Sequence, residues 1–375
     1  MSRMRNVCFF NTVSFWGGGE KLHLEYALKF KERGYHICLA TVKGSPLAMK
    51  AEQAGLATFD IRAGNLSFLN PLKYLRLYRF YKTEKIDTVI FSGSPDLKLG
   101  GFAAKLAGVA NIVYLRGLAA PVKNSFINRL LFSRVLTHIV ANSGATRTTI
   151  LQNLKTTVDP HKVKVIYHGI DLELFDSRIS EEIPAVFRDR PGVLLGNAGR
   201  LTSQKGQQYL IELARMLKRK NICFTLFIAG TGEMKPELEK MISRYDLQKE
   251  VVLLGFVEEV ETFMHAIDIF ILTSLWEGFG YVIVEAMAAC KPAIAFDLSS
   301  NPEIIENNHS GLLVNFPDME MFCDKVESLI KDESLRRQFG MNGRERVEKY
   351  FQLDDRITEF ENCLLNGHIS ESIQR

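Results

Sequence analysis

The chain has 375 residues, 46% of them apolar and 24% charged, which excludes a disordered or fibrous protein and is too long for one ordinary hydrophobic core. It contains no run of about 18 uninterrupted apolar residues, so no membrane-spanning helix is expected. The net charge of +4 is unevenly divided: residues 1–172 hold 24 Lys and Arg against 10 Asp and Glu, the remainder 23 against 33, so the first half is expected to meet something anionic.

In chain order, Met1-Ser2-Arg3-Met4-Arg5 passes directly into Val7-Cys8-Phe9-Phe10. That apolar stretch is too short for a signal peptide and reads as a first strand, so a cytoplasmic protein is expected. Strands are predicted over 6–11, 36–41, 57–60, 88–92, 112–115, 138–141 and 163–167. Helices over 20–33, 46–54, 71–82 and 96–107 alternate with them, the pattern of βαβ units in a parallel sheet. Residues 173–191 are polar, with Pro184 and Pro191, and read as a linker between a domain over 1–172 and a second over 192–348. The second half repeats the alternation. Strands fall over 193–198, 224–229, 251–254, 269–272, 293–296 and 311–314, and the tail from 319 to about 365 is helical. The six cysteines, Cys8, Cys38, Cys223, Cys290, Cys323 and Cys363, include no Cys-x-x-Cys pair, and neither a disulfide nor a structural metal is expected. Cys8, Cys38 and Cys223 lie in strand-like runs and are expected to be buried.

Three loops carry the chemistry. Trp276-Glu277-Gly278-Phe279-Gly280 follows a strand and opens the helix that contains Glu285. A strand, a glycine loop and a helix start form an anion site, because the first-turn N–H groups point at the ligand. Glu285 lies about 7–8 Å beyond Gly280 at the helical rise, roughly the span from a diphosphate to its ribose. Glu277, in the loop, is placed to reach a sugar. Both glutamates also fit ordinary surface positions on such a turn. Asn197-Ala198-Gly199-Arg200 through Gln204-Lys205-Gly206 follows another strand. Arg200 and Lys205 supply two cations suited to a diphosphate, at the strand end where open parallel sheets bind ligands. Gly17-Gly18-Gly19-Glu20 opens the first helix and permits close backbone approach to a ligand, although it is not a Gly-x-Gly-x-x-Gly pattern.

Together the three loops resemble the retaining glycosyltransferases of the GT-B fold, specifically glycosyltransferase family 4, over nearly the whole chain. Glu277 through Glu285 is similar to the family's Glu-x7-Glu motif, Gly199-Arg200 with Lys205-Gly206 to its phosphate loop, and Gly17-Gly18 with Glu20 to its first-domain glycine loop. The resemblance implies an α/β GT-B fold, two Rossmann-like parallel-sheet domains facing each other across a cleft. It implies transfer of a hexose-type sugar from a nucleotide diphosphate, UDP- or GDP-linked, with retained configuration. Arg200, Lys205 and Glu277 would be the catalytic residues: the two cations neutralise the leaving diphosphate and Glu277 contacts the sugar. Glu285 would hold the ribose, the Phe279 and Gly280 backbone would lie beside the sugar, and Gly18 or Gly19 would approach the donor phosphate. The family often has a histidine where Tyr114-Leu115-Arg116-Gly117 stands, which leaves Arg116 as a sugar or acceptor contact. His168 occupies the usual Asn place between the domains and is read as a hinge residue. Ser299-Ser300-Asn301 replaces commoner glycines. Residues 349–375 would form a helix returning to the first domain, and Phe351, Ile357, Phe360 and Leu364 suit its buried face.

No persuasive Asp-x-Asp site occurs; Asp171-Leu172-Glu173 comes nearest. With Arg200, Lys205 and a helix N-terminus facing the diphosphate, neither a metal nor another cofactor is expected. The acceptor is expected on the basic first domain. Residues 69–82 and 122–134 interleave apolar and basic side chains, as does a helix resting on an anionic membrane or one packed on a sheet. A lipid-linked or anionic glycan acceptor at the inner membrane face follows, as in lipopolysaccharide or surface polysaccharide synthesis. A nucleotide-sugar 2-epimerase and a glycosyl phosphorylase share the fold. A basic nucleic-acid-binding protein is the non-catalytic reading, but no helix-turn-helix, ribonucleoprotein or zinc module accompanies the charge, so nucleic acid is not an expected partner.

Overall fold

A computed structural model describes residues 6–179 and 184–366. Residues 1–5, 180–183 and 367–375, which carry the start of the first-domain expectation, the middle of the linker and the end of the C-terminal helix, lie outside them. Two compact units are formed: the described residues up to His168 together with those from Asp354 onward, and Gly169–Leu353.

The first unit holds a seven-stranded sheet of β1 (Asn6–Phe10), β2 (His36–Thr41), β3 (Ala57–Asp60), β4 (Thr88–Phe91), β5 (Asn111–Arg116), β6 (His138–Ala141) and β7 (Val163–Val165), in the order β3-β2-β1-β4-β5-β6-β7. Every pairing is parallel. Helices cover both faces, which is why the central strands read as unbroken apolar runs: Val7, Cys8, Phe9 and Phe10 are all fully buried. The second unit repeats the plan with β8 (Val193–Ala198), β9 (Phe224–Ala229), β10 (Val251–Gly255), β11 (Ile269–Leu272), β12 (Ala293–Phe296) and β13 (Gly311–Val314), in the order β10-β9-β8-β11-β12-β13. Each sheet reverses its strand order once, between β1 and β4 and between β8 and β11. Ligands of open parallel sheets bind at the C-terminal strand ends beside such a reversal.

Several expectations need correction. The described part of 173–191 is not a free linker. Asp171 caps the helix Leu172–Ser177 by accepting from the Leu174 N–H at 3.1 Å, Asp176 pairs with Arg344 at 2.8 Å, and the Phe187 ring lies 4.6 Å from that of Phe227. These contacts draw the segment into the second unit, which begins at Gly169 rather than 192. The chain returns to the first unit at Asp354, a few residues after 349. There the helix Leu353–Asn366 buries Ile357, Phe360 and Leu364, and Arg33 of the first unit pairs with Glu361 at 2.9 Å. Phe351 instead meets the Phe279 ring, 5.7 Å away in the second unit. Cys223 is exposed rather than buried, because it precedes β9 instead of lying in it.

Candidate functional site

The sharpest constellation lies in the second unit, where the loops after β8 and β11 meet. Asn197, at the end of β8 and 1% exposed, donates from Nδ2 to the Ile271 carbonyl at 2.8 Å. Beyond it the two loops are laced together. The Leu275 N–H donates to the Gln204 carbonyl at 2.8 Å, Gln204 Nε2 to the Trp276 carbonyl at 2.9 Å, and Thr273 Oγ1 to the Gly206 carbonyl at 2.9 Å. Gly206 makes this approach feasible: its φ is +64°, and a Cβ there would sit 2.2 Å from the Thr273 carbonyl oxygen.

The lacing brings Lys205 and Glu277 together, with Nζ 2.6 Å from Oε1 and side chains 16% and 8% exposed. Removing two charges from water costs several kcal/mol per ion, so a pair this enclosed is a poor device for stability alone. The carbonyl of Glu277 is anchored as well, accepting from Ser299 Oγ at 2.6 Å and Ser300 Oγ at 3.4 Å. Ser299 stands at φ +55°, a left-handed conformation that glycine adopts more easily. The departure from glycine at 299–300 thus supplies hydroxyls that hold the glutamate loop. That role is invisible in the sequence because it depends on two loops meeting in space.

Gly280, at φ +75°, turns the chain into the helix Tyr281–Ala288. Glu285 on that helix is 4% exposed and Phe279 3% exposed, so neither is an ordinary surface residue. Arg200 is exposed, and its carbonyl accepts from Gln207 Nε2 at 2.9 Å. The second-unit residues singled out in the sequence, Arg200, Lys205, Glu277, Phe279, Gly280 and Glu285, therefore all lie on the two laced loops or the helix they open.

In the first unit, Gly18 and Gly19 form the first turn of the helix Gly18–Glu32 and are exposed, with open space where a Cβ would stand. Arg116 ends β5 but is 7% exposed; its guanidinium donates to the Tyr114 hydroxyl and to the Ala120 carbonyl. These bonds tie it to the 117–120 segment that follows β5. His168 is buried with Nε2 3.1 Å from Asn142 Nδ2, and burial drives its pKa down to about 3.

The sequence reading missed Asp96. It is 2% exposed, just beyond β4 at the strand-order reversal, and takes hydrogen bonds from Thr12 Oγ1 at 2.5 Å and the Thr12 N–H at 3.3 Å. Burial raises its pKa to about 6 despite those bonds, with the Glu20 carboxylate a smaller contribution in the same direction. A lone Asp at the start of a helix carries no sequence signal that separates this position from an ordinary surface residue.

Comparison with known proteins places the whole chain. The model of glycosyl transferases group 1 matches residues 180–346 and that of Glycosyltransferase Family 4 matches residues 16–174. Among similar curated proteins is the UDP-Gal:alpha-D-GlcNAc-diphosphoundecaprenol alpha-1,3-galactosyltransferase of Escherichia coli, 28% identical over 80% of this chain and 81% of that protein. The capsular polysaccharide biosynthesis glycosyltransferase CapM of Staphylococcus aureus is 26% identical over 80% of this chain and 81% of its own. Among solved structures, Anabaena Alr3699/HepE in complex with UDP and glucose superposes with a TM-score of 0.81, covering 96% of this chain and 99% of that one at 22% identity. With a family model over each half and a GT-B architecture throughout, the chain belongs to glycosyltransferase family 4, and its activity is glycosyl transfer.

Proposed function

We propose that the chain transfers a hexose-type sugar, with retention of configuration, from a UDP-sugar to a lipid-linked glycan acceptor in surface polysaccharide synthesis. The observation that carries this reading is the enclosed Lys205–Glu277 pair at 2.6 Å on loops bonded to each other beside the β8/β11 reversal. The activities of the Escherichia coli and Staphylococcus aureus relatives favour the acceptor class, and the UDP bound in the Anabaena structure favours the base. GDP remains the alternative nucleotide, and a lipopolysaccharide core the alternative acceptor.

In this reading Arg200 and Lys205 face the diphosphate and take up the charge that develops on it. Glu277, orienting Lys205, contacts the sugar beside the Phe279–Gly280 backbone, and Glu285 holds the ribose. The bond from the anomeric carbon to the phosphate oxygen breaks as the acceptor oxygen bonds to that carbon on the same face. The acceptor proton passes to the leaving phosphate oxygen. The protein contributes positioning and charge stabilisation, with no protein nucleophile and no metal in the step.

The test is turnover of UDP-galactose and UDP-glucose with an undecaprenyl-diphosphate-linked acceptor, with and without EDTA, followed by NMR of the new linkage. An α-linked product from the α-donor at an EDTA-insensitive rate is expected. A β-linked product would overturn retention, and loss of activity in EDTA would overturn metal independence.

A further inference from the structure

Most exposed apolar side chains on a folded protein are scattered singly. Residues 62–82 depart from that pattern. Leu66, Leu69 and Leu72 are 73%, 67% and 74% exposed, and Leu75 is 45% exposed. The same stretch carries Arg62, Lys73, Arg76, Arg79 and Lys82 and no acidic residue. On the helix Pro71–Thr83, the buried Leu77, Phe80 and Tyr81 face the core of the first unit. Leu72, Leu75 and Arg79, spaced i, i+3, i+7, form a stripe on the opposite side. Lys73 Nζ donates to the Arg62 carbonyl at 2.7 Å and to Ser67 Oγ at 3.0 Å, which holds the Ser67–Leu69 turn against the helix. The leucines therefore stand on a braced surface.

The topology extends the patch. All seven strands of this sheet run parallel, so segments that follow them emerge at one edge. Leu66 and Leu69 follow β3, whereas Leu118, 51% exposed, and Phe126, 73% exposed, follow β5. Four strand spacings separate β3 from β5 in this sheet, about 19 Å. A broad surface that is apolar beneath and negatively charged at its boundary matches leucines set among cations at both the helix and that edge.

We propose that the Leu66–Leu75 surface, with Leu118 and Phe126 on the same sheet edge, docks the first unit onto an anionic lipid bilayer. The proposal deepens the lipid-linked acceptor reading and rests on it, because it sets the C-terminal edge of the first-unit sheet against the membrane in which such an acceptor is anchored. The leucines enter the headgroup boundary while Arg76, Arg79 and Lys82 pair with lipid phosphates.

The test is co-sedimentation of the full chain with vesicles of phosphatidylcholine alone or mixed with phosphatidylglycerol. Wild type is expected to pellet with the mixed vesicles, less so at high salt because the charge contribution is screened. The variants Leu69→Ser/Leu72→Ser/Leu75→Ser and Arg76→Glu/Arg79→Glu are each expected to bind about tenfold more weakly, since apolar burial and charge contribute together. A Leu72→Trp variant adds a direct probe, whose fluorescence shifts to the blue on mixed vesicles if the stripe enters the boundary. Wild type left in the supernatant, variants that bind as wild type does, or an unshifted Trp would each overturn the proposal. Thermal shift with UDP, run on the same samples, separates the two readings. Vesicle binding lost with the UDP shift retained sinks the docking alone, whereas vesicle binding retained without a UDP shift supports docking and sinks the donor assignment.

Discussion

Lys205 and Glu277 show how an interaction can be strong in place and still not serve stability. With side chains 16% and 8% exposed, each ion depends on the other for the solvation it has lost. Removing one partner from an enclosed pair leaves an uncompensated charge, at a cost of about 3–5 kcal/mol when burial is complete and less here. Lys205→Met and Glu277→Gln are each expected to lower the urea midpoint, and Lys205→Met/Glu277→Gln to lower it by less than the sum of the two. A double-mutant cycle with additive effects would show that the pair is not coupled. Activity should follow another pattern, with all three variants losing it, since the donor site needs both groups. At this scale the sequence was informative where residue type states the chemistry. Arg, Lys and Glu on loops after strands, with glycines beside them, point to a phosphate site. It was silent on Asn197, Gln204, Ser299 and Ser300, which act by holding backbone carbonyls of the opposing loop or strand. Asp96 was silent for a related reason, since its hydrogen-bond partner Thr12 lies in the loop after β1, more than 80 residues away.

Elements differ in legibility according to how locally their formation is decided. Strands buried on both faces must be continuous apolar runs, so β6, β8, β9, β11, β12 and β13 fall where the sequence reading puts them, as do the less buried β2 and the edge strand β3. The helix Gly144–Leu154 escaped notice: it is rich in Thr and has little amphipathic contrast, and it is specified largely by Ser143, whose hydroxyl accepts from the Thr146 N–H. The polar stretch before β8 was misread because polarity marks a linker as readily as a segment held by ion pairs such as Arg344–Asp176. The junction of the two site loops is the element-level feature most open to test. Gly206→Ala must place a methyl about where the Thr273 carbonyl now lies, at a left-handed φ. A loss of about 1–3 kcal/mol in stability is expected from such overpacking, together with loss of donor binding out of proportion to it. Near-wild-type nucleotide affinity in this variant would show that the lacing does not shape the site.

For the molecule as a whole, buried histidines set the direction of the pH response. His23 and His168 are both driven by burial from 6.5 to about 3. Above pH 6.5 neither state is protonated at these groups. As pH falls below 6.5 the unfolded chain takes up protons that the folded chain refuses, so stability is lost progressively toward pH 3. At pH 5 each histidine contributes a loss of about 2 kcal/mol. Asp96 acts oppositely, because its folded pKa of about 6 lies above its ordinary 3.8. It destabilises the fold at neutral pH, and that penalty is relieved as pH falls through 6, by about 1.4 kcal/mol at pH 5. The histidines outweigh it, so the urea midpoint should drop between pH 7 and pH 5, and His23→Leu should reduce that drop. A midpoint that rises on acidification would mean that the carboxyl dominates.

The most direct test of donor binding at the laced loops is thermal shift with UDP, GDP, ADP and CMP on wild type, Lys205→Ala and Glu285→Ala. A ligand that binds only the folded state adds about 2.7 kcal/mol at a hundredfold excess over its Kd. A clear rise in Tm with UDP, unchanged by EDTA and abolished in both variants, is expected. A shift that survives both substitutions would place the nucleotide elsewhere, and no shift with any nucleotide would contradict a donor site on these loops.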